Sequence, residues 1–223
     1  MKLQDNSIIF FLAVLKGDNM VNKENLFDES GNRIFTVEET EKILGIKIFE
    51  REKEAFQKLY PRLPKDKIKD SIIFPVVARD KQGDFLTIDF FKDKFKNLFL
   101  ENEETFLWWE DRGIFSVNRD TCEIGWVIMA RNILPESKGK TFSEQHKCLK
   151  HGQRRERAVF YIWGLILAAR AGIKILEREY AVTTSSADDC YIMIGYCGNI
   201  IRIELFEESV IGLPNIGLLP MRV

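Results

Sequence analysis

The two histidines and four cysteines are the residues whose types and spacing come nearest to chemistry. His146, Cys148 and His151 sit within one short stretch, and Cys122, Cys190 or Cys197 would complete a nitrogen and sulfur donor set of the kind that holds zinc. The paired Cys-x-x-Cys knuckle of structural zinc sites is missing, so we expect no metal and no other cofactor. Cys148 beside either histidine also has the composition of a nucleophile and its base. At such close sequence separation on one short helix the alignment is poor, and surface-loop residues are the simpler reading. Thr183 to Ser186 is a hydroxyl run without the G-x-S-x-G pattern of a nucleophile elbow. Its expected role is a turn whose hydroxyls satisfy backbone groups. A hydrolase using Cys148 or Ser186 is therefore the last of three functional readings.

A second constellation is basic. Lys147, Lys150, Arg154, Arg155 and Arg157 gather where a long apolar helix is expected to start. Cations there oppose the helix dipole, and an anionic partner such as phosphate or nucleic acid would give them a purpose. The plain alternative is a solvated first turn neutralised by Glu156 and neighbouring carboxylates.

The third constellation is a face. Tyr191 to Tyr196 and Ile200 to Phe206 flank Cys197-Gly198-Asn199, and Gly198-Asn199 is a two-residue hairpin loop. That loop sets Cys197 opposite Ile200, Tyr196 opposite Ile201 and Ile194 opposite Ile203. Ile192, Ile194, Tyr196, Ile201, Ile203 and Leu205 then form one apolar face, which a one-residue slip would destroy. Tyr191, Met193, Gly195, Cys197, Ile200, Arg202, Glu204 and Phe206 form the other, of mixed polarity. Tyr and Arg are frequent anchors at binding surfaces. We take Tyr191, Met193, Arg202, Glu204 and Phe206, with Asp188, Asp189 and the Glu207-Glu208 loop, as the candidate ligand-binding set. A second buried face is the competing reading.

The elements that must position these residues follow from local signals. Thr36-x-x-Glu39 is a capping box for a helix ending at Gly45, and a second helix covers Phe49 to Tyr60 before Pro61 and Pro64. Lys65 to Asp70 reads as a charged linker. Ile72 to Ala78 is β-type, and Pro75 within it argues for an edge strand. Asp80 to Gly83 is a turn, with Phe85 to Phe91 as the partner strand. Phe91, Phe95, Leu98 and Phe99 recur at helical spacing and belong in the core. Adjacent Trp108 and Trp109 point to different sides, so at least one sits at a packing seam. Trp126 to Met129 is a strand, and Thr141-x-x-Glu144 caps a short helix. Arg154 to Ala171 is apolar nearly all round and should be a central helix, stopped by Gly172 and packed on the sheet that holds the hairpin.

Composition sets the outer limits. The 223 residues are 45% hydrophobic and 30% charged, with 33 basic against 34 acidic side chains. This is the balance of a globular chain with a sizeable core and no global bias toward nucleic acid or an anionic membrane. The apolar run Ile8 to Leu15 follows a leader carrying Lys2 and Asp5, which lacks the positive excess of a signal peptide. Ala158 to Ala169 falls short of the ~20 residues needed to span a bilayer. A cytoplasmic location with free thiols and no membrane partner is expected.

One resemblance runs over residues 105 to 223. Trp126 to Arg131, then Ile133-Leu134-Pro135-x-Ser137-x-x-Lys140, Glu144-Gln145, a long helix, Gly-Ile-x-Ile-Leu, Thr184-Ser185-Ser186, the alternating hairpin strand and a final Gly217…Met221-Arg222 resemble a group of uncharacterised bacterial proteins. Their ends are similar to C-type-lectin-like domains of the formylglycine-generating-enzyme-like fold, and some are variable proteins diversified by retroelements. The Trp-Asp pattern of such variable regions is replaced here by Leu205-Phe206-Glu207-Glu208. For the whole chain we expect an α+β protein: a mainly helical region over residues 1–70 and a connecting α/β segment over 71–104, followed, as the resemblance implies, by a C-type-lectin-like domain over 105–223 with a central helix and late hairpin. The resemblance implies a non-enzymatic module that displays a protein- or small-ligand-binding surface, here the hairpin face. Nucleic-acid or phosphate binding by the basic cluster is the alternative read from the residues themselves.

Overall fold

The computed structural model describes residue 28 and residues 30–63, 69–99, 120–187, 190–197, 200–207 and 213–222. The apolar run near residue 8, most of the charged linker, Trp108-Trp109, Asp188-Asp189, the Gly198-Asn199 loop, Glu208 and the side chains of Cys197, Leu205 and Phe206 lie outside the described residues.

The chain is a mixed α+β protein in which two sheets enclose one helix. After the short strand β1 (Arg33–Ile34), helix α1 (Val37–Leu44) starts on the expected capping box. The Glu39 amide donates to the Thr36 hydroxyl at 3.1 Å, and the Thr36 amide donates to the Glu39 carboxylate at 2.9 Å. Gly45 then takes the left-handed conformation, with φ 60°, that stops the helix. Helix α2 (Glu50–Leu59) is tied back to α1 by the buried Glu41. Its carboxylate accepts from the Ile48 amide at 2.7 Å and from Lys53 Nζ at 3.0 Å.

Strand β2 (Ser71–Val76) departs from expectation: it is buried throughout and paired on both sides. It runs parallel to β1 and antiparallel to β3 (Gly125–Ala130). The Ile73 carbonyl faces β1 and accepts from the Phe35 amide, so the backbone nitrogen two residues on, at Pro75, faces the same side. By then β1 has given way to α1, and no partner there needs a donor. Proline is tolerated inside the sheet because its neighbour ends first.

The expected strand after the Asp80 turn is reduced to one bridge, between Arg79 and Phe85, and helix α3 (Ile88–Lys94) follows. Phe91, Phe95, Leu98 and Phe99 are buried, as their spacing predicts. Phe91 meets Trp163 edge-on with ring centroids 5.4 Å apart. Helix α4 (Phe142–His146) has its capping box, and helix α5 (Ala158–Arg170) is the buried centre. Strands β4 (Tyr180–Ala187), β5 (Cys190–Cys197), β6 (Ile200–Glu207), β7 (Ile216–Gly217) and β8 (Met221–Arg222) complete the chain. The first sheet has the order β1-β2-β3-β8 and the second β6-β5-β4-β7, so the first draws strands from all three segments expected from sequence.

Helix α5 packs against both sheets and against α1 and α3. Its approach to the first sheet is close: a Cβ on Gly164 would stand 2.6 Å from Met129 Cε and 2.9 Å from Phe74 Cζ. The helix begins at Ala158, four residues after the expected start. Arg154 is held extended instead, its amide donating to the Met221 carbonyl at 2.8 Å and its carbonyl accepting from the Met221 amide at 2.9 Å. Among the described residues no helix is long and apolar enough to cross a membrane.

Candidate functional site

The hairpin register places the candidate face. Cys197 pairs with Ile200, Tyr196 with Ile201 and Ile194 with Ile203, as the two-residue loop predicts. Ile192, Ile194, Ile201 and Ile203 are buried in the main core beneath the sheet. The opposite, outer face is then built in cross-strand rows, because residues directly opposite in an antiparallel ladder share a face. One row is Tyr180, Gly195 and Arg202; the next is Val182, Met193 and Glu204; the last is Ser186, Tyr191 and Phe206.

Each row has its own chemistry. Gly195 carries no side chain, and the Tyr180 ring lies over it: an added Cβ would stand 2.6 Å from Tyr180 Cδ1 and 2.7 Å from the Glu179 carbonyl oxygen. Lying flat, Tyr180 reaches the far strand and its hydroxyl donates to Glu204 Oε1 at 3.0 Å. Arg202 Nη1 stands 3.8 Å from the same oxygen, and both charged side chains remain partly exposed. Burial first, and then the Glu204 carboxylate, raise the Tyr180 phenol above its ordinary pKa.

Met193 differs from expectation. It is buried, and with Val182 and Ile216 it forms a small second core on the outer side, bordered by Phe142, Tyr180 and Tyr191. The reason is the α4 cap: Thr141 opens that helix beside the sheet and lays Phe142 over Tyr191, parallel to within 7° at 3.8 Å. Arg155 closes the other side of Phe142, its guanidinium carbon 3.7 Å from the ring centroid. The guanidinium also donates to Gln145 Oε1 at 2.9 Å. Burial lowers its pKa to about 10. Tyr191 is half-buried by this stack, and the outer face is part platform and part core.

The basic constellation is drawn apart. Arg155 is enclosed, Arg154 pairs with Glu156, and Arg157, the residue before α5, approaches Glu123 at 4.0 Å. Lys147 and Lys150, earlier in the same α4–α5 connection, are exposed.

The hydroxyl run is a strand with a bulge, not a turn. Between the Val182–Met193 and Ser186–Tyr191 pairs, three residues of β4 face one of β5. The bulge swings Ser185 inward, where its Oγ accepts from the Ala158 amide at 2.9 Å and caps α5 from a distant strand. The Ser185 hydroxyl in turn donates to Asp120 Oδ2 at 3.4 Å. Burial raises the pKa of Asp120, against the pull of Arg157 and Ser185. It raises Glu156 likewise, against Arg154 and Arg157, and pushes the enclosed Cys122 thiol well up. Ser186 itself points outward and is exposed.

Cys122, Cys148 and Cys190 are free thiols. Cys148 lies on the α4 exit, with Lys140 Nζ 3.7 Å from its sulfur. Among the described residues no three His, Cys, Asp or Glu side chains are grouped to hold a metal. Sequence reading did not single out Tyr180 or Phe142, and it placed Ser185 in a backbone-satisfying turn rather than at the distant helix start it caps. The signal for Tyr180 was available: a glycine inside an alternating strand marks a place where another group comes close.

Set against family models, curated proteins and solved structures, the chain matches none of them.

Proposed function

We propose that this chain is a non-enzymatic binding module whose contact surface is the outer face of the second sheet. The observation that carries the reading is the Tyr180–Gly195–Arg202 row. A tyrosine held flat over a glycine and tied to Glu204 offers a rigid aromatic surface beside a partly exposed ion pair. Rigid aromatics lose little conformational freedom on association, and an arginine–glutamate pair supplies orientation. Tyr191, braced by Phe142, extends the surface. A central helix packed under a late hairpin is in keeping with a C-type-lectin-like display scaffold. The occupant is then a protein or a small ligand met in the cytoplasm. Nucleic-acid binding by the basic cluster is the weaker reading, because Arg154 and Arg155 are engaged within the chain.

Affinity capture with the wild type and with a Tyr180→Ala, Arg202→Glu double variant tests the proposal. Partners lost from the variant while its urea midpoint holds would support it. A partner set unchanged by both substitutions would remove the outer face from consideration. Capture that instead weakens steeply with salt, and with Arg154→Ala, would favour the basic cluster.

A further inference from the structure

The outer face of the first sheet carries a cavity unrelated to the hairpin. Phe74 and Met129 point toward α5, so the alternate residues Ser71, Ile128 and Ala130 point away from it. Arg222 pairs with Ile128 across β3 and β8 and shares that outer face. The segment held against Met221 by Arg154 brings Gln153 alongside, and Lys69 precedes β2 on the same side. Together Lys69, Ser71, Ile128, Ala130, Gln153 and Arg222 line a cavity of about 100 Å³.

Its chemistry is one-sided. The floor is aliphatic, and no carboxylate is among the described lining residues. Neither Lys69 nor Arg222 joins an ion pair among the described residues. The Gln153 carboxamide oxygen accepts from the Lys150 amide at 2.9 Å, which leaves its NH2 as the remaining donor. Two cations and an amide donor therefore surround an apolar floor. A cavity of roughly 150 Å³ admits benzene, so this smaller one suits an occupant of a few heavy atoms.

We infer that this cavity binds a small monocarboxylate with a short aliphatic tail. The carboxylate lies between Lys69 and Arg222, and the tail lies on Ile128 and Ala130. The fork of Arg222 matches the two oxygens of a carboxylate, and the tail gains by leaving water.

Methyl NMR of the full chain, titrated with acetate, propionate, butyrate and inorganic phosphate, tests this. The expected result is saturable shifts at Ile128. Affinity should rise by up to about fourfold for each added methylene until the cavity is full. Arg222→Gln should weaken butyrate by at least about tenfold. Ala130→Leu, which fills the floor, should abolish binding. Should Ala130→Leu fail to fold, the partly exposed Arg222→Gln variant decides alone. Absence of saturable shifts overturns the inference, as does butyrate affinity indifferent to Arg222→Gln. Phosphate binding as tightly as butyrate, or butylamine binding equally well, also overturns it. So does a glutamate-containing peptide that shifts Ile128 when butyrate does not, since that would make the cavity a protein-docking point.

Discussion

The two faces of the hairpin are made from the same strands yet held by different means. The inner face presents Ile192, Ile194, Ile201 and Ile203 to a core that runs through both sheets and α5. The outer face presents Met193 to a small cluster with Val182 and Ile216, and around it stand a stacked ring pair and a tyrosine tied to a charged pair. Burial decides the first face, whereas local geometry decides the second. A surface meant for contact needs the second kind of order, because its side chains must hold position without being covered.

The largest predicted effect breaks the fold from the inside. Ile194→Ala should destabilise by about 2–5 kcal/mol in urea unfolding, the cost of a cavity where nothing can collapse. Met193→Ala, at the edge of the smaller cluster, should cost clearly less. Equal costs would mean that the outer cluster is as much a core as the inner one, and the comparison would fail. Gly195→Ala comes next, at about 1–3 kcal/mol, because the new methyl group meets the Tyr180 ring and the Glu179 carbonyl. Its second readout is specific to the outer face: displaced from Gly195, Tyr180 loses its bond to Glu204, and its phenol titrates nearer the ordinary value.

How much of this was legible in the sequence follows the same division. The inner face was readable because a period of two and a turn of known length leave one register that buries Ile192, Ile194, Ile201 and Ile203 together. The capping boxes at Thr36 and Thr141 were readable for a similar reason, since donor and acceptor lie three residues apart. The start of α5 was misplaced because it is fixed by distant partners: Met221 holds Arg154 extended, and Ser185 caps Ala158 across the fold. Pro75 misled for the same reason, since its tolerance depends on where β1 stops. Arg155 looked like part of a charge cluster, but an aromatic ring from α4 takes it inside. The platform residues Tyr180 and Phe142 belong to different elements, and no local pattern unites them.

The Ser185 cap gives a smaller test of that distant control. Ser185→Ala should cost about 0.5–2 kcal/mol, as for loss of a capping hydroxyl, with Asp120 left without its donor. Ser186→Ala, one residue on and facing outward, should be near neutral in the same urea series. If the two were equivalent, the bulge would not be positioning a cap.

The smallest effect lies where the inner side carries charge, and its sign separates two carboxylates, the half-buried Asp120 and the buried Glu41. Burial raises the pKa of Asp120 above its ordinary 3.8, so the folded chain holds that proton more tightly than the unfolded one. The resulting stabilisation is fully present below that ordinary value and is lost as pH rises through the folded value. Glu41 runs the other way. Burial alone would raise it, but the Ile48 amide and Lys53 outweigh burial and hold it below its ordinary 4.5. Its contribution is present above that value and is lost as pH falls through the folded one. Urea midpoints taken from about pH 4 to about pH 7 should therefore show Asp120→Asn gaining on the wild type as pH rises. Glu41→Gln should stay behind the wild type at neutral pH and close the gap toward acid. Parallel slopes would mean that Asp120, despite its place beside the α5 start, meets the same balance of donors as Glu41. The contrast between a capped helix start and a paired carboxylate would then fall.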